Sequence, residues 1–122
     1  MTKKFNQIML DRMTTFGVQI CRMTNTLPNY PASFVLAKQV IRSSTSIGAN
    51  YREVQWARTS KEFLSKLQIA LQEAEETRHW LETMRDSVGV EIECLNPLIN
   101  ECAELIAILV ASINTTRRRI LK

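Results

Sequence analysis

The chain has 122 residues, 45% of them hydrophobic and 23% charged, with a formal net charge of +4. That suits one soluble domain, residues 1–122, large enough for a real core. No apolar run approaches the roughly 18 residues of a membrane span, and the segment Met1-Thr2-Lys3-Lys4-Phe5-Asn6-Gln7 lacks an apolar signal core. A cytoplasmic protein without a membrane partner is expected. Cys21, Cys94 and Cys102 are odd in number and form no C-x-x-C pair. They argue against a disulfide framework or a zinc site and read as small buried hydrophobes.

Four helices account for nearly everything. In the first, from about Phe5 to Asn25, Phe5, Met9, Met13, Phe16, Ile20, Met23 and Leu27 keep a three-or-four spacing. Leu27-Pro28-Asn29-Tyr30-Pro31 ends it, because each proline disfavours helix in the residue before it. The second runs from about Ser33 to Trp56. Leu36, Val40, Ile47 and Val54 form one apolar row, and Ala37, Ile41, Ser44, Gly48 and Tyr51 the next. Gly48 costs about 1 kcal/mol against alanine inside a helix, which a close helix approach would explain.

Thr59-Ser60-Lys61-Glu62 reads as a capping box opening the third helix. Phe63, Leu67, Ala70, Ala74, Thr77, Leu81, Met84 and Val88 then alternate four and three without a slip, a coiled-coil-like seam. Gly89 is the expected stop. Asn96-Pro97 is read as the start of the fourth helix, a cap followed by proline. That helix carries Ile99, Cys102, Ile106, Leu109, Ile113 and Ile120 on one seam. Leu98, Leu105 and Ile108 form a second, so a subunit interface is expected on one of its two sides. Short connections make neighbours antiparallel. The expected fold is all-α, an up-down-up-down four-helix bundle.

Ser43, Ser46, Asn50 and Glu53 recur at spacings of three, four and three, so they share one helical face. The expected role is hydrogen bonding across a tight helix or subunit contact, with a ligand or nucleic-acid contact as the alternative. Catalysis is not expected. Hydrolysis needs a nucleophile with a base in reach, and the only histidine, His79, is on another helix. Glu73, Glu75 and Glu76 lack a Glu-x-x-His pattern, and no glycine-rich phosphate loop occurs. The chain reads as a non-enzyme with no cofactor.

Charge placement says more than the pI of about 9.2. In an antiparallel bundle one end receives Lys3, Lys4, Arg52, Arg58, Lys61, Arg117, Arg118, Arg119 and Lys122. The acids near it are chiefly Glu53 and Glu62. The opposite end receives Asp86, Glu91 and Glu93. Such polarity suits a polyanion, so these nine residues are the candidate nucleic-acid contacts. Trp56 is the only nearby aromatic, which favours backbone contact over base reading. The alternative is a structural or interaction module whose basic end meets an acidic protein.

Several segments together also carry a resemblance. They are Arg42-Ser43-x-x-Ser46-Ile47-x-Ala49-Asn50-x-x-Glu53, Ser60-x-Glu62-Phe63 and Ile69-Ala70-Leu71-x-Glu73-Ala74-x-Glu76-Thr77. Trp80-Leu81-Glu82 and Glu101-Cys102-x-Glu104-Leu105-Ile106-x-Ile108-Leu109 follow in order. The chain resembles the bacterial four-helix-bundle family that includes proteins encoded in intervening sequences of 23S ribosomal RNA genes. Val54 departs from the small residue many members carry after the glutamate. The resemblance implies a ring-like homopentamer. It also implies kinship with accessory proteins of diversity-generating retroelements, and so a nucleic acid or a nucleic-acid-bound protein as partner.

Overall fold

Apolar side chains every third or fourth residue give the first helix, α1 (Lys3–Thr24), a buried row of Met9, Met13, Phe16, Ile20 and Met23. The structure, a computed structural model, describes residues 3–89 and 92–121. α2 (Pro31–Glu53) opens with proline in its first turn, where the missing N–H costs nothing. Its buried row is Leu36, Val40 and Ile47, and Val54 continues it into a single 3-10 turn, Val54–Trp56.

Local chemistry sets the ends of α3 (Ser60–Ser87). The Thr59 hydroxyl accepts from the Glu62 N–H at 3.1 Å, and the Glu62 carboxylate accepts from the Arg58 N–H at 2.8 Å. The capping box therefore closes, with its return bond one residue earlier than the usual pattern. At the other end Gly89 has φ of 74°, the left-handed conformation that stops a helix cheaply only at glycine. Between them Leu67, Ala70, Ala74, Thr77, Leu81, Met84 and Val88 are buried.

The fourth helix departs from expectation. α4 (Ile92–Leu121) starts before Asn96, and Pro97 lies inside it. An interior proline costs roughly 3 kcal/mol through its lost hydrogen bond and ring clash. Leu95 and Leu98, both buried, flank Pro97 and hold the first turns against the core. Tertiary burial thus overrides the local start signal.

The two apolar seams of α4 also prove to be neighbouring rows of one broad face. Leu95, Leu98, Cys102, Leu105, Leu109 and Ile113 are all buried within the chain, and Ile99, Ile106 and Ile108 are half-buried beside them. The second seam is covered internally, so it does not by itself call for a partner. Glu93–Leu121 is long and apolar enough to cross a membrane by length and composition, with mean hydropathy 1.5. Polar residues interrupt it, so it contains no unbroken apolar run of that length.

Cross-helix contacts define the topology. Tyr51 donates to Asn6 at 3.3 Å, Thr77 donates to Ser43 at 2.8 Å, and the Cys102 thiol donates to the Ala74 carbonyl at 3.2 Å. Each pair joins helices running in opposite directions. α2–α3 and α3–α4 are the widest contacts and α1–α4 the narrowest. Arg12 closes that narrow seam with a two-pronged contact to Glu101, both N···O distances 2.7 Å. Gly48 packs close to α1, yet a Cβ there would sit 3.5 Å from Thr14 Oγ1, an ordinary contact. Close approach alone therefore does not demand glycine at that position.

Candidate nucleic-acid interface

The polar stripe of α2 lies toward α3, and its four members meet different surroundings. Ser43 is fully buried and accepts from Thr77. Ser46 Oγ donates to its own helix, at the Arg42 carbonyl, 2.7 Å away. Asn50 Nδ2 donates back to the Ser46 carbonyl at 2.8 Å. Glu53 is exposed and paired with Lys66 of α3. Two of the four thus bond across to α3, Glu53 at the surface and Ser43 in the core, where an unpaired buried hydroxyl would cost about 1–3 kcal/mol. Along the same contact Arg42 bridges Glu73 at 3.2 Å and Glu76 at 2.5 Å. Its hydrogen bond to Glu76 holds that carboxyl below the usual range.

Most of the arginines on the body of the bundle are engaged in this way. Arg12 pairs with Glu101 and Glu104, Arg78 with Glu82, and Arg85 with Asp86. The Arg12 hydrogen bond keeps the Glu101 carboxyl below its ordinary value.

At one end the pattern reverses. The start of α1, the α2–α3 turn and the end of α4 lie together, since Phe5, Phe63, Thr116 and Arg119 border one hollow. Lys4, Arg52, Arg58, Lys61, Arg117, Arg118 and Arg119 are all exposed. Among the described residues no ion pair engages any of the seven. Arg118 Nε donates to the Asn114 carbonyl at 3.3 Å, so this side chain also serves the helix terminus. Arg22 and Lys38, away from that end, are unpaired as well, but they stand apart in sequence and on different helices. The side chain of Lys3 and the whole of Lys122 lie outside the described residues, as does Glu91.

One feature of this end escapes sequence reading. Trp56 is 73% exposed. It closes the 3-10 turn, which is anchored by buried Val54 and by the Ala57 N–H donating to the Val54 carbonyl at 3.1 Å. Beside the indole is a depression of about 620 Å3 bordered by Asn6, Gln7, Arg52 and Gln55. Its inner wall includes Tyr51, whose phenol burial pushes up to about 12. A lone tryptophan carries no period, so only the turn geometry reveals its exposure.

The cysteines divide by position. Cys102 is buried and burial pushes its thiol up to about 12, which makes it inert near neutral pH. Cys21 is half-buried. Cys94 is exposed, contrary to the expectation of three buried thiols, because it lies on the outer side of the first turn of α4.

Comparison with known proteins agrees with this architecture. The sequence pattern of the family described as 23S rRNA-intervening sequence protein matches residues 6–111. A crystal structure of a protein of unknown function, from the S23 ribosomal protein family of Bacteroides thetaiotaomicron VPI-5482, is 36% identical to this chain. It superposes with a TM-score of 0.82, covering 89% of this chain and 97% of that one. None of the curated proteins matches. With the pattern spanning nearly all of the four helices, the chain belongs to the 23S rRNA-intervening sequence protein family.

Proposed function

We propose that this protein is a non-enzymatic, cytoplasmic assembly protein that binds the backbone of RNA or DNA through its basic end. The observation that carries the reading is the set of seven exposed cations from three chain segments, free of carboxylate partners, while the arginines that brace the body are paired. Free cations release counterions from a polyanion, and that release drives binding. The acids nearest the end are occupied: Glu53 pairs with Lys66, and Glu62 caps the start of α3.

The assembly is the ring-like homopentamer that the resemblance implies. Exposed apolar side chains outside the core support self-association, among them Ile8, Val18, Phe34 and Val35. A ring would bring several basic ends onto one face and multiply the field.

Two measurements test this. Light scattering after size exclusion should give several times the 14.0 kDa chain mass. In fluorescence anisotropy, RNA and DNA should compete with a labelled oligonucleotide far better than polyglutamate competes. A monomer at micromolar concentration would remove the ring. Stronger competition by polyglutamate would replace nucleic acid with an acidic protein as the partner.

A further inference from the structure

We infer that the depression beside Trp56 takes one unstacked base of a single-stranded nucleic acid, with the indole as its stacking face. This rests on the reading of the basic end as a nucleic-acid surface and names the form of ligand that the end prefers.

Three observations carry it. First, the ring is displayed on a turn whose backbone is held. It is 73% exposed, yet its turn is pinned by buried Val54 on one side. The Arg58 N–H bond to the Glu62 carboxylate, at 2.8 Å, pins it on the other. An aromatic carried on a fixed turn has only two side-chain torsions left to order when a second ring stacks on it. Second, the hollow of about 620 Å3 is of small-ligand size. Its border carries Asn6, Gln7, Arg52 and Gln55, the amide and guanidinium types that pair with base edges. The Tyr51 phenol donates to the Asn6 carbonyl oxygen at 3.3 Å, which leaves the Asn6 amide N–H groups for a ligand. Third, the two hollows that Trp56 borders differ in charge. The second is bordered by Glu53, Glu62 and Lys66, and there two carboxylates oppose one cation. A polyanion is therefore directed to the Arg52 side.

A paired base inside a duplex cannot reach the indole, so the site discriminates form as well as charge. Phosphates on either side of the seated base would fall to Arg52, Arg58 and Lys61, all within five residues of Trp56 in sequence.

The test uses the full chain and one RNA sequence, single-stranded or annealed to its complement, in anisotropy titrations at fixed salt. Wild type should bind the single strand more tightly. Trp56→Ala should lose roughly 5- to 100-fold on the single strand and little on the duplex. Trp56→Phe, which keeps a π face, should retain most of the single-strand affinity. Circular dichroism should be unchanged, because the ring lies outside the core. If Trp56→Ala binds the single strand as wild type does, the base site is wrong. Equal, salt-sensitive wild-type binding to both forms would leave the basic-end reading standing and overturn this one. Binding to neither form would overturn both. Trp56-dependent binding of polyglutamate without RNA binding would assign the hollow to an acidic peptide instead.

Discussion

The body of the bundle and its basic end use the same side chains in opposite ways. Along the body, Arg12, Arg42, Arg78 and Arg85 each face a carboxylate. At the end, Lys4, Arg52, Arg58, Lys61 and Arg117 to Arg119 face solvent. The body pairs add only small increments of stability, since exposed pairs contribute about 0–1 kcal/mol each; those of Arg12 and Arg42 cross between helices, while those of Arg78 and Arg85 stay within α3. The cations of the end have no such ion pairs among the described residues. Net charge alone hides this difference; placement and partnering expose it.

The largest effect is expected in the core beneath the body. Leu81, with 0% exposure, should cost about 2–5 kcal/mol when cut to alanine, read from urea melts. A loss below about 1 kcal/mol would mean that the α3 seam does not hold the bundle.

The next effect is the buried hydroxyl pair. Thr77→Val keeps the shape and removes the hydroxyl that meets Ser43 at 2.8 Å and the Glu73 carbonyl at 2.7 Å, so it should cost about 1–3 kcal/mol. Adding Ser43→Ala should recover part of that loss, because the Ser43 hydroxyl would otherwise keep only its long 3.4 Å contact to the Val40 carbonyl. Failure to recover would show that packing, and not the hydrogen bond, matters there.

A smaller effect concerns pH. Glu101 titrates below its ordinary value of 4.5 when folded, chiefly through its hydrogen bond to Arg12. A lowered folded pKa stabilises the native state above the unfolded value and loses that contribution as pH falls through the folded value. Denaturant midpoints should therefore drop below about pH 4.5, the Glu101 share being no more than about 1 kcal/mol. Arg12→Met should shrink the drop. An identical acid profile in that variant would mean that the α1–α4 seam does not depend on the pair.

The smallest expected effect on stability is at the basic end. Replacing Arg117, Arg118 and Arg119 with alanine should change unfolding free energy by about 0.5 kcal/mol or less. A larger loss would assign the triplet to the helix terminus, where Arg118 already reaches the Asn114 carbonyl.

Most of the helical plan is readable in the sequence, for reasons that are local. The α3 seam keeps one spacing from Phe63 to Val88, and Thr59, Glu62 and Gly89 carry end chemistry that acts within a few residues. Pro97 misleads, because its local signal opposes the burial of Leu95 and Leu98, which depends on the other helices of the bundle. The two seams of α4 read as two faces, since spacing does not tell how wide an arc a neighbour covers. The polar stripe is visible as a period, but Thr77, the partner of Ser43, lies on another helix. The basic residues gather at one end as soon as the topology is known. Which cations are paired does not follow from topology, because pairing depends on the facing helix. Trp56 reads as a single aromatic, and its display depends on the turn that follows α2.

The central claim is that charge at the end binds phosphate while charge on the body does not. Anisotropy with one RNA across a range of salt, from about 50 mM upward, tests it on two charge-matched variants. One replaces Arg117, Arg118 and Arg119 with alanine, and the other replaces Arg42, Arg78 and Arg85. The account predicts weaker binding in the first, its log–log salt slope flattened by about 0.7–0.9 for each phosphate no longer neutralised. The second should keep the wild-type slope. Equal slopes in both variants, or no wild-type binding near 50 mM salt, would contradict it.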